Sequence, residues 1–303
     1  MRSMQPVVII GAARSGTNML RDTLTQLPGV ATWPCDEINY IWRHGNAGYP
    51  LDEFPAEKAS PKIKRYIRGY FDRLARRCNA HWVVEKTCAN SLRVPFVDAV
   101  LPDAKYIFLV RDGRDVVASA IQRWTASLEP GYILRKAWYV PWSDVPRYAV
   151  RYFGHRVYRV FSAENRLASW GPRFRGMTEW QRSRSLPELC AEQWRRSVRL
   201  ASDALHGIAQ DRVVRLQYEE FVADPQTALQ HVVTFLEVPC THQQLGELTS
   251  GIRPSSVGNW CRQLEPNVVR NVTAIMAREL QEFGYSEKVA GDGQDGRGTE
   301  QAA

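Results

Sequence analysis

Short, almost unbroken apolar runs separated by longer amphipathic stretches set the rhythm of this chain. Residues 7–10, Val-Val-Ile-Ile, read as a buried strand, and residues 18–26 as the helix that follows it, ended by Pro28 and Gly29. Residues 81–84 are a second strand signal, which brings Glu85, Lys86 and Thr87 to its carboxyl end. Residues 105–110 give a third, nearly all apolar, followed at once by Arg111 and then by a helical pattern over 116–124. A fourth strand over 212–216 precedes a helix over 225–236. Strands that alternate with helices predict an α/β fold, a P-loop-type parallel sheet flanked by helices. Ligands of such sheets bind beyond the carboxyl ends of the strands, where Arg14, Lys86, Arg111 and Tyr218 all fall.

Between residues 129 and 187 the pattern changes to one rich in aromatics and arginine, with Trp138, Trp142, Trp170 and Trp180 among them. This stretch is expected to be a helical, aromatic and Arg-rich insertion, a cap region within a single domain spanning 1–285. Its aromatics either pack against the main body or line a surface for a sugar or an anionic acceptor. From Arg147 to Arg184 nine arginines face only Glu164 and Glu179 as acids, which reads as a solvated helix face or as part of that surface. Residues 286–303, rich in Gly, Asp, Gln and Ala, are expected to be a disordered tail.

The turn after the first strand, Gly11-Ala12-Ala13-Arg14-Ser15-Gly16-Thr17-Asn18, keeps the glycine spacing of a nucleoside-triphosphate loop but not its chemistry. Such a loop needs Lys on the β/γ-phosphates and a hydroxyl on Mg²⁺. Thr17 and Asn18 stand at those positions, and the loop's cation comes three residues early as Arg14. Backbone N–H groups of residues 15–18 at a helix start, with Arg14 and the Thr17 hydroxyl, suit an anion that needs no metal. A second anion site is expected where Arg111 leaves the third strand, with Ser119 two helical turns further on. The structural alternative there is an Arg111–Asp115 ion pair. Two anion sites at neighbouring strand ends call for a ligand with phosphates at two ends.

Composition narrows the classes. With 303 residues and 44% hydrophobic content there is enough for a sizeable core. No run approaches the ~18 apolar residues of a membrane span, and the first apolar run is too short for a signal peptide, so a cytoplasmic location is expected. Six cysteines lack C-x-x-C or zinc-type His spacing and are read as free thiols. The net charge of +8 suits an anionic ligand, and no nucleic-acid-binding motif accompanies it.

These segments together resemble sulfotransferases that use 3′-phosphoadenosine 5′-phosphosulfate (PAPS). The G-x-x-R-S-G-T loop is similar to the family's 5′-phosphosulfate loop, and Arg111-Asp112-Gly113-Arg114-Asp115 through Ser119 to its 3′-phosphate segment. Glu85-Lys86-Thr87-Cys88-Ala89-Asn90 resembles an E-K-T-x-x-N segment. Tyr218-Glu219-Glu220 through Asp224-Pro225 resembles the segment whose Tyr lies beside the adenine. Residues 253–260, Arg-Pro-Ser-Ser-Val-Gly-Asn-Trp, resemble the R-K-G-x-x-G-D-W loop that folds over the nucleotide. The resemblance covers about residues 6–285.

It implies sulfuryl transfer from PAPS, without a metal, to an acceptor hydroxyl. The acceptor is expected to be a carbohydrate or glycolipid, with a small phenol or alcohol as the alternative. Arg14, Ser15, Gly16, Thr17 and Asn18 would hold the 5′ end; Arg111, Ser119 and Arg253 the 3′-phosphate; Tyr218 the base, with Gly258 in the covering loop. Lys86 and Arg14 would stabilise the transferring charge.

The chain departs from the pattern at Pro254, in place of Lys, and Asn259, in place of Asp. Cys88 stands where phenol-type members carry a catalytic His, and a neutral thiol is a poor proton acceptor. Glu37, in Trp33-Pro34-Cys35-Asp36-Glu37, sits where carbohydrate-type members place a base, with Asp36 as its neighbouring alternative. Burial beside Trp33 or Trp42 would raise its pKa and a nearby cation would lower it. Two other classes share the strand-loop-helix: a P-loop kinase of a small metabolite, and a non-catalytic nucleotide or polysaccharide binder of the same fold.

Overall fold

The computed structural model describes residues 4–125 and 170–285. The insertion up to residue 169, with the arginines from Arg147 to Arg166, and the tail at 286–303 lie outside the described residues.

Five parallel strands form one sheet in the order β2-β3-β1-β4-β5. They are β1 (Gln5–Ile10), β2 (Val30–Ala31), β3 (Trp82–Lys86), β4 (Lys105–Val110) and β5 (Val213–Gln217). Because β1 is central and covered on both faces, its side chains divide by parity. Val8 and Ile10 join one core with Phe71, Phe96, Trp194 and Met276, while Val7 and Ile9 join another with Leu20, Phe221 and Leu229. Helices Pro61–Cys78, Val94–Val100, Gly113–Thr125, Leu186–His206 and Pro266–Glu282 cover the first face; Thr17–Leu24 and Pro225–Leu236 cover the second.

The register decides what meets at the carboxyl edge. Ile9 lies opposite Lys86 and Ile10 opposite Phe108, so the turn after β1 rises beside the end of β3. Val110 lies opposite Gln217, which sets Arg111 and Tyr218 side by side. The indole Nε1 of Trp194 donates to the Arg111 carbonyl at 3.1 Å and fixes the exit from β4. That approach requires glycine at position 113, where a Cβ would lie 2.9 Å from the Trp194 ring and 2.6 Å from the Met276 sulfur.

Several elements differ from the sequence reading. β2 carries no legible signal in two residues. The helix after β4 begins at Gly113, not 116, because Asp112 accepts the Arg114 N–H at 2.8 Å and starts the turn early. Pro61–Cys78 was not anticipated: seven cations among its residues mask a buried stripe of Ile63, Ile67, Phe71 and Leu74, although Ser60 caps it and Pro61 opens it. Leu186–His206 starts at a capping box between Ser185 and Glu188, so residue 187 falls inside a helix. Phe174 is fully buried, and Asp52 and Arg173 exchange hydrogen bonds of 2.8 and 2.9 Å, so residues 172–174 are anchored to the main body. No helix among the described residues is long and apolar enough to cross a membrane.

Candidate active site

The turn after β1 is built to leave donors unused. Arg14 at φ 73° and Gly16 at φ 86° both adopt the left-handed region, and the Thr17–Leu24 helix then starts with no side-chain cap. Its first N–H groups point outward with the positive end of the helix dipole. A Cβ at Gly16 would lie 2.5 Å from the Tyr218 ring, so glycine lets that ring close over the loop. The Ser15 hydroxyl and the Asn18 Oδ1 are buried without a partner among the described residues. Leaving such a group unsatisfied costs about 1–3 kcal/mol; a bound anion would accept from the Ser15 hydroxyl, whereas the Asn18 Oδ1, itself an acceptor, needs a donor.

The second constellation adjoins the first. Arg14 Nε donates to Ser119 Oγ at 2.9 Å, and Arg111 Nη1 donates to the Arg14 carbonyl at 3.1 Å. Arg111 Nη2 donates to the Ser256 carbonyl at 2.6 Å, and its guanidinium lies 4.5 Å over the Tyr218 ring. The Arg111 Nε is buried without a partner among the described residues. Burial, then the charges of Arg123 and Arg111, hold the Arg14 guanidinium below its ordinary pKa. Three clustered cations with one unused donor favour an anion at this end too.

Asp115 has another task. Its carboxylate accepts the N–H of Gly258 at 2.8 Å and of Trp260 at 2.9 Å, with Arg111 Nη2 at 3.7 Å, so it clamps the 253–260 loop to the Gly113–Thr125 helix. The Tyr218 hydroxyl and the Ser256 hydroxyl share a 2.6 Å hydrogen bond across the same junction.

At the end of β3, Lys86 Nζ donates to Glu37 Oε1 at 3.0 Å, and the Cys88 N–H donates to the same oxygen at 3.3 Å. Burial opposes the Lys86 charge, but the Glu37 carboxylate beside it outweighs that and keeps the ammonium above its usual pKa. Burial pushes the Cys88 thiol up to about 12, so it stays protonated near neutrality. Asp36 is turned to Arg21, which donates to its carbonyl at 2.8 Å and stands 4.0 Å from its carboxylate.

One cavity of about 690 Å³ joins these parts. Arg14, Gly16, Thr17, Asn18, Glu37, Lys86, Arg111, Ser119 and Tyr218 all line it. Ser15 lies fully buried beneath it. Arg253 does not reach it: its Nη1 donates to the Ser250 and Ile252 carbonyls at 2.6 and 2.8 Å in its own loop. Gly258 is likewise off the wall, with its N–H committed to Asp115. Arg123 lines the cavity and is not among the residues expected from the sequence; Trp170, one of the aromatics expected to pack or to line an acceptor surface, lines it too, as does Ser256 of the 253–260 segment. For Arg123 a signal existed, since it follows Ser119 by one helical turn; Ser256 and Trp170 depend on tertiary closure. No cluster of three or more His, Cys, Asp or Glu among the described residues is arranged to hold a metal ion.

Beneath Lys86, Glu85 is 1% exposed, and burial pushes its carboxyl up to about 7 from an ordinary 4.5. The folded state therefore binds more protons than the unfolded chain between those values, so stability falls as pH rises through the window. Relative to Glu85→Gln, the wild type should lose on the order of 3 kcal/mol of unfolding free energy between about pH 4.5 and pH 7. Denaturant titrations of both proteins across that range measure it; a difference that stays flat contradicts the assignment.

The chain matches a family model described as "Sulfotransferase family" over residues 6–160 and 148–242. Its fold is shared with the sulfotransferase domain from the curacin biosynthetic pathway, at 15% identity over 94% of this chain and 99% of that one, with a TM-score of 0.53. It is shared with the sulfotransferase domain from the Synechococcus PCC 7002 olefin synthase, at 18% identity over 95% and 97%, with a TM-score of 0.51. A mouse sulfotransferase complexed with PAP aligns at 12% identity over 93% and 87%, with a TM-score of 0.50. No curated protein matches the sequence.

Proposed function

The chain belongs to the sulfotransferase family, and from that premise we propose that it moves the sulfuryl group of PAPS to an acceptor hydroxyl, with Glu37 as base and Lys86 as the cation at the transferring group. The observation that carries this reading is the 3.0 Å contact of Lys86 with Glu37 in the cavity shared with the uncapped loop at Arg14–Asn18. Proton acceptor, cation and anion cradle meet in one space.

The residues divide the work along the cavity. The N–H groups of the loop and Arg14 hold the 5′-phosphate and stabilise the charge that develops on it. Arg111, with Ser119, holds the 3′-phosphate, and Tyr218 packs beside the adenine. Arg253 would join that end only by releasing its own carbonyls.

The acceptor oxygen forms a bond to sulfur as the bond from sulfur to the 5′-phosphate oxygen breaks; its proton passes to Glu37, and adenosine 3′,5′-bisphosphate leaves with the electron pair. Positioning and fixed charge dominate such a transfer. Lys86 is held by Glu37 before the donor arrives. When the ammonium turns to the sulfuryl oxygens, the carboxylate loses its cation and gains a stronger hold on the acceptor proton. Asp36 lines the cavity as well, and Glu37 is preferred because it contacts Lys86, the cation proposed at the transferring group. At the acceptor end, Asn39, Gln122 and Trp170 offer hydrogen bonds and an aromatic face, which favours a carbohydrate-type hydroxyl.

Labelled PAPS incubated with a panel of sugars, glycolipids and phenols tests the activity; transfer to none of them, with no adenosine 3′,5′-bisphosphate formed, would count against it. Adenosine 3′,5′-bisphosphate at about 100 times its Kd should stabilise the protein by about 2.7 kcal/mol, equally with EDTA or with Mg²⁺. A thermal shift that appears only with Mg²⁺ would return the kinase reading.

A further inference from the structure

Lys86 and Glu85 are neighbours in β3, so their side chains leave opposite faces of the strand. Lys86 enters the cavity, whereas Glu85, off the wall itself, turns into a buried polar network whose far end, Asn39, reaches the cavity. We propose that Glu85 is a positioning residue for the base: its two carboxylate oxygens anchor, by two separate arms, the two residues that follow Glu37. The inference rests on the reading of Glu37 as the base.

The first arm runs through Thr87. Its hydroxyl donates to Glu85 Oε1 in a short hydrogen bond, which commits its only proton and leaves Oγ1 as the acceptor of the Ile38 N–H at 3.2 Å. The second arm runs through Asn90. Its Nδ2 donates to Glu85 Oε2 at 2.9 Å, which turns its Oδ1 to accept from Arg93 Nε at 2.9 Å. Arg93 Nη2 then donates to Asn39 Oδ1 at 2.6 Å.

Above about pH 7, where Glu85 is ionised, every donor in both arms has one direction, set by Glu85 accepting on both oxygens. Glu85 is 1% exposed, and Thr87, Asn90 and Arg93 are fully buried, so water does not substitute for a lost partner. Ile38 precedes the short Asn39–Trp42 helix, which has no side-chain cap, so the Thr87 contact is what holds the N–H at that bend. The same turn also supplies the Cys88 N–H to Glu37 Oε1. The carboxylate that accepts the proton is thus located by a second carboxylate that never meets substrate.

The chemistry suggests a polarity swap as the test. Glu85→Gln puts an N–H₂ where an acceptor stood. Facing Asn90 it opposes a donor, and turning the Asn90 amide passes the conflict to Arg93, which cannot accept. Adding Asn90→Asp restores an acceptor for both the introduced amide and Arg93, and the two changes together leave the net charge as in the wild type.

Turnover is read as adenosine 3′,5′-bisphosphate formed from PAPS, which registers transfer to any hydroxyl, water included. Affinity for adenosine 3′,5′-bisphosphate is measured separately to count competent sites. Glu85→Gln is expected to lower kcat about tenfold or more with nucleotide Kd within about twofold, and Glu85→Gln with Asn90→Asp to recover kcat to within about threefold of wild type. A lower melting temperature with kcat per competent site unchanged would mean a merely structural role and overturn the proposal, as would a loss that the double variant does not recover. Should Glu85→Gln not fold, Thr87→Val decides: it removes one arm at nearly constant shape, and an unchanged kcat there overturns the proposal while a reduced one supports it. Loss of turnover in Glu37→Gln with none in Glu85→Gln overturns this inference alone; normal turnover in Glu37→Gln overturns the base assignment itself.

Discussion

Lys86→Met is expected to lower sulfuryl transfer about 10³-fold while leaving the affinity for adenosine 3′,5′-bisphosphate within about threefold. The side chain is 4% exposed at the end of β3, and its stem lies in the sheet register opposite Ile9, so methionine fills the same space without the charge. In the proposed transfer Lys86 is a buried cation where charge shifts, the kind of group whose removal costs most because nothing need reorganise to supply it. The bisphosphate carries no sulfuryl group, so its binding reports on the cradle of Arg14, Arg111 and Ser119 and not on Lys86. Steady-state turnover with parallel binding titrations measures both; turnover within tenfold of wild type would remove Lys86 from the reacting centre.

Glu37→Gln should lower turnover by about 10²-fold or more, again with nucleotide affinity nearly unchanged. The amide keeps the size of the side chain, and its carbonyl still accepts from Lys86 Nζ and the Cys88 N–H, so the loop stays anchored. Only the ability to take a proton is lost. Asp36→Asn is the control, with little effect expected because Glu37 is the acid that contacts Lys86. Since Lys86 and Glu37 touch, the double variant should fall short of the product of the two single losses. Near-normal turnover in Glu37→Gln would remove it as base.

Much of this was legible in the chain because the signals are local. An apolar run followed by Gly-x-x-x-x-Gly marks a strand and its loop, and Arg111 after a run of five apolar residues marks a second strand end. The helix predicted over 225–236 coincides with Pro225–Leu236, since Asp224 caps it and Pro225 opens it. The misses have physical reasons. The Pro61–Cys78 helix hides its apolar stripe among cations. Asp115 reads as an ion-pair partner of Arg111 in sequence, yet in space its nearer partners are two N–H groups of a loop 143 and 145 positions away. Arg253 fits a motif, but its guanidinium is engaged by carbonyls of its own loop, an alternative that no motif encodes. Glu85 carries no signal of its role, because that role consists of the directions of hydrogen bonds among buried neighbours.

The Asp115 clamp also sets the order in which the molecule can become competent during synthesis. The donor cradle needs the 11–18 turn, the strand end at Arg111, Tyr218 of the later half and the 256–260 loop drawn down onto Asp115. At about 5–20 residues per second, the ribosome takes on the order of ten seconds or more to travel from Asp115 to its partners. Until then the central strands β1, β3 and β4 have emerged, but β4 still lacks β5 and presents an open edge. A growing chain of this protein therefore passes through an interval, before residues 213–217 are made, with a half-covered sheet and an unclosed donor cradle.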